Sequence, residues 1–306
     1  MTSTSGDLHV IQSTGGVHVT YRRWLPVGDV RATVQIVHGA SEHSGRYGRL
    51  AGALTARGFA VYAMDLRGHG RTAEGTGTGR FGAPGFDGVL DDVQALHLVA
   101  AEQHPAVPRV LLGHSMGSII ALASAERDGG DLAGLVLSGP LGVDPGLADT
   151  VSQLEAALAA GLADRPLDAL GAFNESFEPA RTPYDWLSRD DAEVDAYLAD
   201  PLAGDEMPLT YGYAAVVFGA SVRASSPEGI AALPDGLPVL LLSGSRDPVG
   251  GVAAGQVTAL AGQLRDRGLP VDQHVYPDAR HEVFNETNRD EVVADLLDWL
   301  EQRLAG

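Results

Sequence analysis

Two amino acids, cysteine and lysine, are missing from the chain. Without cysteine the protein has no disulfide, no thiol nucleophile and no thiolate ligand for a metal. Without lysine it cannot carry out Schiff-base chemistry, form a Ser-Lys dyad or supply the lysine of a phosphate-binding loop. Every basic residue is therefore an arginine.

Positive charge is scarce as well. The 306 residues include 40 Asp plus Glu against 21 arginines, which gives a formal net charge of −19 at pH 7. A field of this sign repels the phosphate backbone of nucleic acids and the surface of anionic membranes. We therefore expect no nucleic-acid partner.

Long apolar runs are also lacking. No uninterrupted apolar stretch reaches the length needed to span a bilayer, and the first ten residues, MTSTSGDLHV, do not have the pattern of a secretory signal. The sequence therefore favours a soluble, cytoplasmic protein without stable membrane insertion.

A regular alternation of strand and helix patterns fills most of the chain. Residues 8–25 alternate apolar and polar side chains around a Gly-Gly turn, which is typical of a β-hairpin. Dense apolar strand patterns, separated mostly by helical ones, follow at residues 32–39, 59–65, 108–115, 132–140, 237–247 and 270–277. This order predicts an α/β fold with a mostly parallel eight-stranded sheet and helices on both faces.

The pattern changes between residues 141 and 228. This stretch is rich in Ala, Leu and Asp, contains several prolines and has no dense strand pattern. We interpret it as an inserted helical cap on a core made of residues 1–140 and 229–306. The glycine-rich stretch at residues 74–88 is interpreted as a surface loop.

A serine between two glycines is the strongest chemical signal. In VLLGHSMGSII, residues 110–120, Ser115 lies in a G-x-S-x-G pattern between a predicted strand and a predicted helix. The turn is so sharp that a Cβ two residues before or after the serine would collide with its neighbours, and Gly113 and Gly117 remove that collision. The pattern predicts that Ser115 is an exposed nucleophile at the edge of the sheet.

A serine nucleophile needs a base, and the base needs an acid that orients it. In this topology the acid precedes the histidine, and each follows a strand. Asp247 follows the strand in VLLLSGSRDPV, and His281 lies between the last strand and the last helix. Asp278 is the alternative acid, but it lies too close to His281 in sequence to come from a different strand. His38 and His114 are expected to orient or pack.

The developing oxyanion requires two N–H donors. The backbone of Met116, which follows the nucleophile, and that of Ala40, in the turn after the strand at 32–39, are the predicted donors. We predict no metal site, because His38 with His43, and His281 with Glu282, lack the H-E-x-x-H spacing. No cofactor is expected.

Five stretches carry a family resemblance: HGASEHSGRY at 38–47, MDLRGHGRT at 64–72, GHSMGS at 113–118, GSRDPV at 244–249 and ARHEVFNETNRDEV at 279–292. With them the chain resembles the α/β-hydrolases of the monoacylglycerol lipase and lysophospholipase group, also called serine aminopeptidase-like hydrolases. The resemblance implies a Ser115, Asp247 and His281 triad with an oxyanion hole at Ala40 and Met116.

The same resemblance suggests a pocket for the leaving alcohol. Glu42 and Arg46 match positions that line this polar pocket, although they would equally suit a surface salt bridge. Ser41 departs from the family pattern, which often has glycine there. Asp65 and Arg67, in a stretch shared across much of the superfamily, are interpreted as structural.

The cap should hold the acyl chain. Its apolar residues Trp186, Leu187, Tyr211, Tyr213, Val217 and Phe218 are the predicted contacts. Apolar residues at helical spacing also pack a helix onto its own domain, so this assignment has a structural alternative. Any contact with a lipid surface would be transient and made through the cap.

The resemblance implies a serine hydrolase acting on monoacylglycerol-like or lysophospholipid-like monoesters with an apolar acyl chain. Two alternatives use the same triad: a general carboxylesterase, and an aminopeptidase or amidase. A third alternative is a non-catalytic binding protein with the hydrolase fold. Such a protein would usually have lost one of the three triad residues, and all three are present here.

Overall fold

A computed structural model describes residues 5–167 and 171–304 of the chain. Its strands belong to one sheet of eight. They are β1 Asp7–Gln12, β2 His18–Trp24, β3 Ala32–Val37, β4 Phe59–Met64, β5 Arg109–His114, β6 Gly134–Ser138, β7 Val239–Gly244 and β8 Val271–Tyr276.

The order of strands across the sheet is β1-β2-β4-β3-β5-β6-β7-β8. Strand β2 runs antiparallel to both β1 and β4. The other six strands, β3 to β8, are parallel to one another. The predicted hairpin and the predicted mostly parallel sheet are confirmed. The parallel strands read as continuous apolar runs because both of their faces are covered.

Ten α-helices surround or cap this sheet in the described part of the chain. They are α1 Gly48–Ala56, α2 Ala73–Thr76, α3 Phe86–Gln103, α4 Met116–Asp128, α5 Leu147–Ala159, α6 Asp191–Ala199, α7 Tyr211–Ala224, α8 Pro227–Ala232, α9 Gly255–Asp266 and α10 Arg289–Leu304. None of the helices within the described ranges is both long and apolar enough to cross a membrane.

Two apolar clusters lie on opposite faces of the sheet. Alternate residues of β7 show the division, since Leu240 and Leu242 join the cluster under α1 and α10, whereas Val239 and Leu241 join the cluster under α3, α4 and α9. Successive side chains of a strand point to opposite faces, so a buried strand contributes to both clusters.

The segment between β6 and β7 contains helices α5 to α8 in its described residues. Helix α7 packs against α4 and shares the larger apolar cluster, whereas α5 packs mainly on α7 and buries only Leu147 and Leu154. A separate small cluster contains Trp186, Val194 and Tyr197. Helix α5 therefore buries far less of its surface than α7, on which it packs.

The glycine-rich stretch 74–88 is more than a surface loop. Phe81 is buried and its ring stacks on Tyr213 of α7 at 3.8 Å between centroids. The carbonyl of Gly79 accepts a hydrogen bond of 2.8 Å from the hydroxyl of Thr210. The stretch thus ties α7 to the core, a long-range contact that its composition does not reveal.

Candidate active site

Ser115 lies at the turn between β5 and α4. Its backbone has φ 53° and ψ −121°, a strained conformation for a residue other than glycine. A Cβ on Gly113 would overlap the backbone of Gly117, and a Cβ on Gly117 would overlap the carbonyl of Val37. The two glycines therefore allow β3, β5 and α4 to meet closely enough to form this turn.

Asp247 and His281 are directly hydrogen-bonded. Nδ1 of His281 lies 3.0 Å from both carboxylate oxygens of Asp247, and both side chains are buried. Burial alone would lower the pKa of His281, but the charge and hydrogen bond of Asp247 outweigh it and raise this pKa above 6.5. Asp278, the alternative acid, is exposed.

A glycine sets the approach of the two loops that carry these residues. Gly244 ends β7, and a Cβ there would overlap the carbonyl oxygens of Ala279 and Arg280. The loop that leads into His281 therefore crosses directly over the loop that leads into Asp247. The backbone N–H groups of His281 and Glu282 donate to the carbonyls of Trp186 and Leu187 at 3.3 and 2.8 Å.

The imidazole of His281 is held between two rings. His114 and Trp186 each lie with their ring centroid 4.9 Å from that of His281. Ser115 and His281 line the same small polar cavity of about 20 Å³. Within the described ranges Ser115 Oγ makes no hydrogen bond to another protein group.

Two backbone N–H groups flank Ser115. Met116 is the first residue of α4, so its N–H precedes the intrahelical hydrogen bonds. The N–H of Ala40 has no acceptor among the described residues. Ala40, Ser115 and Met116 line one pocket together. The oxyanion hole at Ala40 and Met116 stays a prediction, because it also depends on where the two N–H groups point.

The Ala40 loop is braced by His38 and strained at Ser41. His38 accepts a hydrogen bond of 2.9 Å from the backbone N–H of Leu66 and pairs through Nδ1 with the carbonyl of Gly39 at 2.7 Å. Ser41 has φ 54°, in the left-handed region that favours glycine. The loop therefore keeps a glycine-like shape although the residue is serine.

A large apolar pocket opens on one side of Ser115. Its volume is about 670 Å³, and it lies between the sheet edge and the helices of segment 141–228. Its lining combines Ala40, Ser115, Met116 and Ile119 with Leu141, Asp144, Leu147, Thr150, Gln153, Leu154, Leu167, Ala172, Phe173, Trp186, Leu209, Tyr211, Ala214, Val217, Phe218 and Val249. The pocket is large enough for an extended acyl chain.

A buried charge cluster lies on the other side. Arg46 donates to Glu42 at 2.8 Å and to both carboxylate oxygens of Glu282 at 2.6 and 2.8 Å. Burial would raise the pKa of Glu42, but the charge of Arg46, together with the backbone hydrogen bond from Gly39, outweighs it and lowers this pKa to about 2. Because Glu42 is only 3% exposed, its ion pair with Arg46 is buried and is not a surface salt bridge.

Residues 28–288 match the family described as Serine aminopeptidase, S33. The chain is 35% identical to a monoacylglycerol lipase of Mycolicibacterium smegmatis, over 99% of this chain and 100% of the relative. It is 31% identical to human monoglyceride lipase, over 98% of this chain and 92% of the relative.

The chain belongs to the serine aminopeptidase family of hydrolases. A solved structure of a thermostable carboxyl esterase from Bacillus coagulans, in complex with glycerol, is similar with a TM-score of 0.90 and 30% identity. The similarity covers 97% of this chain and 98% of the esterase. The predicted α/β-hydrolase fold and the predicted family are confirmed.

The predicted acyl-chain contacts of this hydrolase do not all line the same cavity. Trp186, Tyr211, Val217 and Phe218 line the apolar pocket. Leu187 lines the small polar cavity instead.

The structure places Tyr213 in the larger apolar cluster and not in the lining of the apolar pocket. Its side chain is 1% exposed, stacks on Phe81 and donates a hydrogen bond of 3.3 Å to the carbonyl of Arg67. Both faces of α7 are apolar, and Tyr213 lies on the face that packs into the core.

Sequence reasoning missed Glu282 and much of α5. The sequence pattern presents Glu282 only as a metal ligand beside His281, yet this residue completes the charge cluster next to the predicted triad residues. Helix α5 supplies Leu147, Gln153 and Leu154 to the apolar pocket. The position of Glu282 directly after His281 was the available signal.

Proposed function

We propose that this hydrolase cleaves the carboxylic ester of monoacylglycerol-like monoesters, with Ser115 as nucleophile, His281 as base and Asp247 as the acid that orients it. The observation that carries the proposal is the hydrogen bond between Asp247 and His281, because His281 lines the same small cavity as Ser115 and Ser115 also lines the 670 Å³ apolar pocket. The relatives named monoacylglycerol lipase and the glycerol-bound esterase support the substrate class.

In the first half of the reaction, Ser115 Oγ attacks the ester carbonyl while His281 takes the hydroxyl proton. The carbonyl oxygen becomes an oxyanion that accepts hydrogen bonds from the backbone of Ala40 and Met116. The buried carboxylate of Asp247 stabilises the imidazolium that forms on His281. The C–O bond then breaks, His281 protonates the departing alcohol, and the acyl group stays on Ser115.

In the second half, a water molecule replaces the alcohol. His281 removes a proton from this water as it attacks the acyl-enzyme carbonyl, and then returns the proton to Ser115 Oγ as the fatty acid leaves. The cycle consumes one ester and one water and regenerates the hydroxyl. No step requires a cofactor or a metal.

Residues 141–228 act as a cap over the acyl pocket in this proposal. They contribute most of its apolar lining, and α5 covers it with few buried residues of its own. A cap of this kind excludes water from the acyl chain and sets the chain length that fits.

The test uses Ser115→Ala and a fluorophosphonate probe. We expect the variant to keep the circular dichroism spectrum of the parent, to lose at least about 10⁴-fold of kcat on 1-lauroylglycerol and on a p-nitrophenyl ester, and to escape labelling. Parent-like hydrolysis or labelling of the variant would show that another residue is the nucleophile. Lysophospholipids and aminoacyl-anilides in the same panel test the alternative substrate classes.

A further inference from the structure

The polar cavity beside Ser115 carries an excess of negative charge. Glu42 and Glu282 both line it, together with His114 and His281. Burial lowers the pKa of His114 and keeps its imidazole neutral near pH 7. The cation of the cluster, Arg46, balances only one of the two carboxylates. With His281 in the neutral form that acts as the base, the wall therefore has a net charge of about −1 by formal count.

Arg46 is not free to meet an incoming anion. Its Nη1 is shared by Glu42 and Glu282, and its Nη2 donates to Glu282 at 2.8 Å. The ring of Tyr197 covers one face of the guanidinium, with the central carbon 4.7 Å from the ring centroid. A phosphate could bind Arg46 only by displacing a carboxylate, which would leave that carboxylate buried and unpaired.

No other cation compensates in the pockets that meet at Ser115. Among the described residues that line the apolar pocket, the charged side chain is Asp144, which is another carboxylate. The chain as a whole contains no lysine. An anionic group near the scissile ester would therefore meet carboxylates, and no arginine or lysine, in the described lining of both cavities that contain Ser115.

We propose that Glu282, acting with Glu42, makes the alcohol side of the site selective for uncharged alcohols and excludes esters that carry a phosphate near the scissile bond. The inference rests on the proposed function, since it refines which monoesters that same site accepts. Placing like charges next to each other in a buried interface is a strong means of rejection. This charge repulsion would distinguish a monoacylglycerol, which is accepted, from a lysophosphatidate with the same acyl chain, which is excluded.

Glu282 is the better residue to test. Glu42 also holds the site together, because it accepts hydrogen bonds from the backbone of Gly39 and from the hydroxyl of Tyr47 at 2.5 and 2.8 Å. Besides Arg46, Glu282 accepts one hydrogen bond of 2.9 Å, from Asn285. Replacing Glu282 by glutamine removes the charge and leaves the Arg46–Glu42 pair in place.

The experiment compares 1-lauroylglycerol with 1-lauroylglycerol 3-phosphate on the full chain. For the parent we expect kcat/KM to favour the uncharged ester by at least about 100-fold. In Glu282→Gln the ratio should fall by about tenfold or more, mainly through a lower KM for the phosphate ester. Glu102→Gln, which removes an exposed charge on α3, should leave the ratio at the parent value.

A second variant guards against a folding failure of the first. Asn285→Lys adds a cation beside Glu282 at a half-buried position and should narrow the ratio in the same direction. Equal kcat/KM of the parent on the two esters, or a ratio unchanged in both variants, would overturn the inference alone. Failure of the parent to cleave either ester would contradict the proposed function instead, and the inference would fall with it.

Discussion

The two cavities that meet at Ser115 are built in opposite ways. The polar one holds about 20 Å³ and is lined mainly by core residues, with buried charges that are hydrogen-bonded to one another. The apolar one holds about 670 Å³ and is lined largely by helices of segment 141–228, of which α5 has only two buried residues. Under the proposed function, this contrast means that recognition of the alcohol depends on fixed polar geometry, whereas recognition of the acyl chain depends on a volume that repacking can change.

The largest effect on kcat should come from a change in the proposed triad, because its chemistry is needed whichever cavity binds a given part of the substrate. Asp247→Asn keeps the shape of the side chain but removes the charge that fixes the tautomer of His281 and stabilises its cation. We expect kcat on 1-lauroylglycerol to fall by about 10⁴-fold with little loss of stability. A loss of less than about tenfold, measured with purified variant of unchanged melting temperature, would remove Asp247 from the proposed triad.

On the polar side, Arg46→Met should leave two buried carboxylates without a counter-ion. We expect a loss of about 3–5 kcal/mol in the free energy of unfolding at pH 7, measured by urea denaturation. In the parent, the lowered pKa of Glu42, about 2, contributes stability above pH 4.5 that is lost as the pH falls toward 2. In the variant the carboxylates are destabilised when charged, so the difference from the parent should shrink as the pH falls. A difference that stays constant with pH would contradict this account.

On the apolar side, Gln153→Trp should reduce the space for long acyl chains. Gln153 is exposed on α5 and lines the pocket, so a larger ring can enter without disturbing the core. We expect the kcat/KM ratio of lauroyl to butyryl esters to fall by about tenfold. The neighbouring exposed residue Ser152 is outside the pocket lining, and Ser152→Trp is the matched control. Equal effects of the two substitutions would indicate a general disturbance of α5.

The pH profile of kcat/KM should show how the charges of the polar cavity affect the pKa of His281. The base must be neutral to act, and its pKa is raised above 6.5, so kcat/KM should decline as the pH falls through that raised value. Asp247, Glu282 and Glu42 all raise this pKa, while the facing His114 is neutral. In Glu282→Gln the acidic midpoint should therefore shift to lower pH. An unchanged or higher midpoint would show that Glu282 does not act on His281 through its charge.

The smallest effect is expected at the loop that joins the two cavities. Ser41→Gly relieves the left-handed φ of 54° but makes the unfolded chain more flexible. We expect a net gain of about 0.5 kcal/mol in the free energy of unfolding. A loss of stability would mean that the Ser41 side chain contributes more than its backbone strain costs.

The difference between the two cavities also explains what the sequence predicts. The hairpin, the parallel strands, the turn at Ser115 and the position of Asp247 after β7 follow from local patterns, because strand periodicity and paired glycines act over a few residues. The contact between Asp247 and His281 is consistent with their order along the chain. These features belong to the core.

The lining of the apolar pocket could not be predicted from local patterns in the same way. Helix α7 is apolar around most of its circumference, so its periodicity does not distinguish Val217, which faces the cavity, from Tyr213, which faces Phe81. The contribution of α5 depends on how that helix lies across the others, and no local pattern specifies this. The role of Glu282 could not be predicted from local patterns either, because its partner Arg46 is more than two hundred residues away in the sequence.

Gly244 has a consequence for how changes in this protein are interpreted. It carries no functional group, yet the carbonyl oxygens of residues 279 and 280 occupy the space where a methyl group would stand. An alanine there would push apart the two segments that bring a carboxylate to an imidazole. A conservative missense change at a chemically silent position would then resemble an active-site knockout, and the defect would be one of alignment, with every reactive group still present.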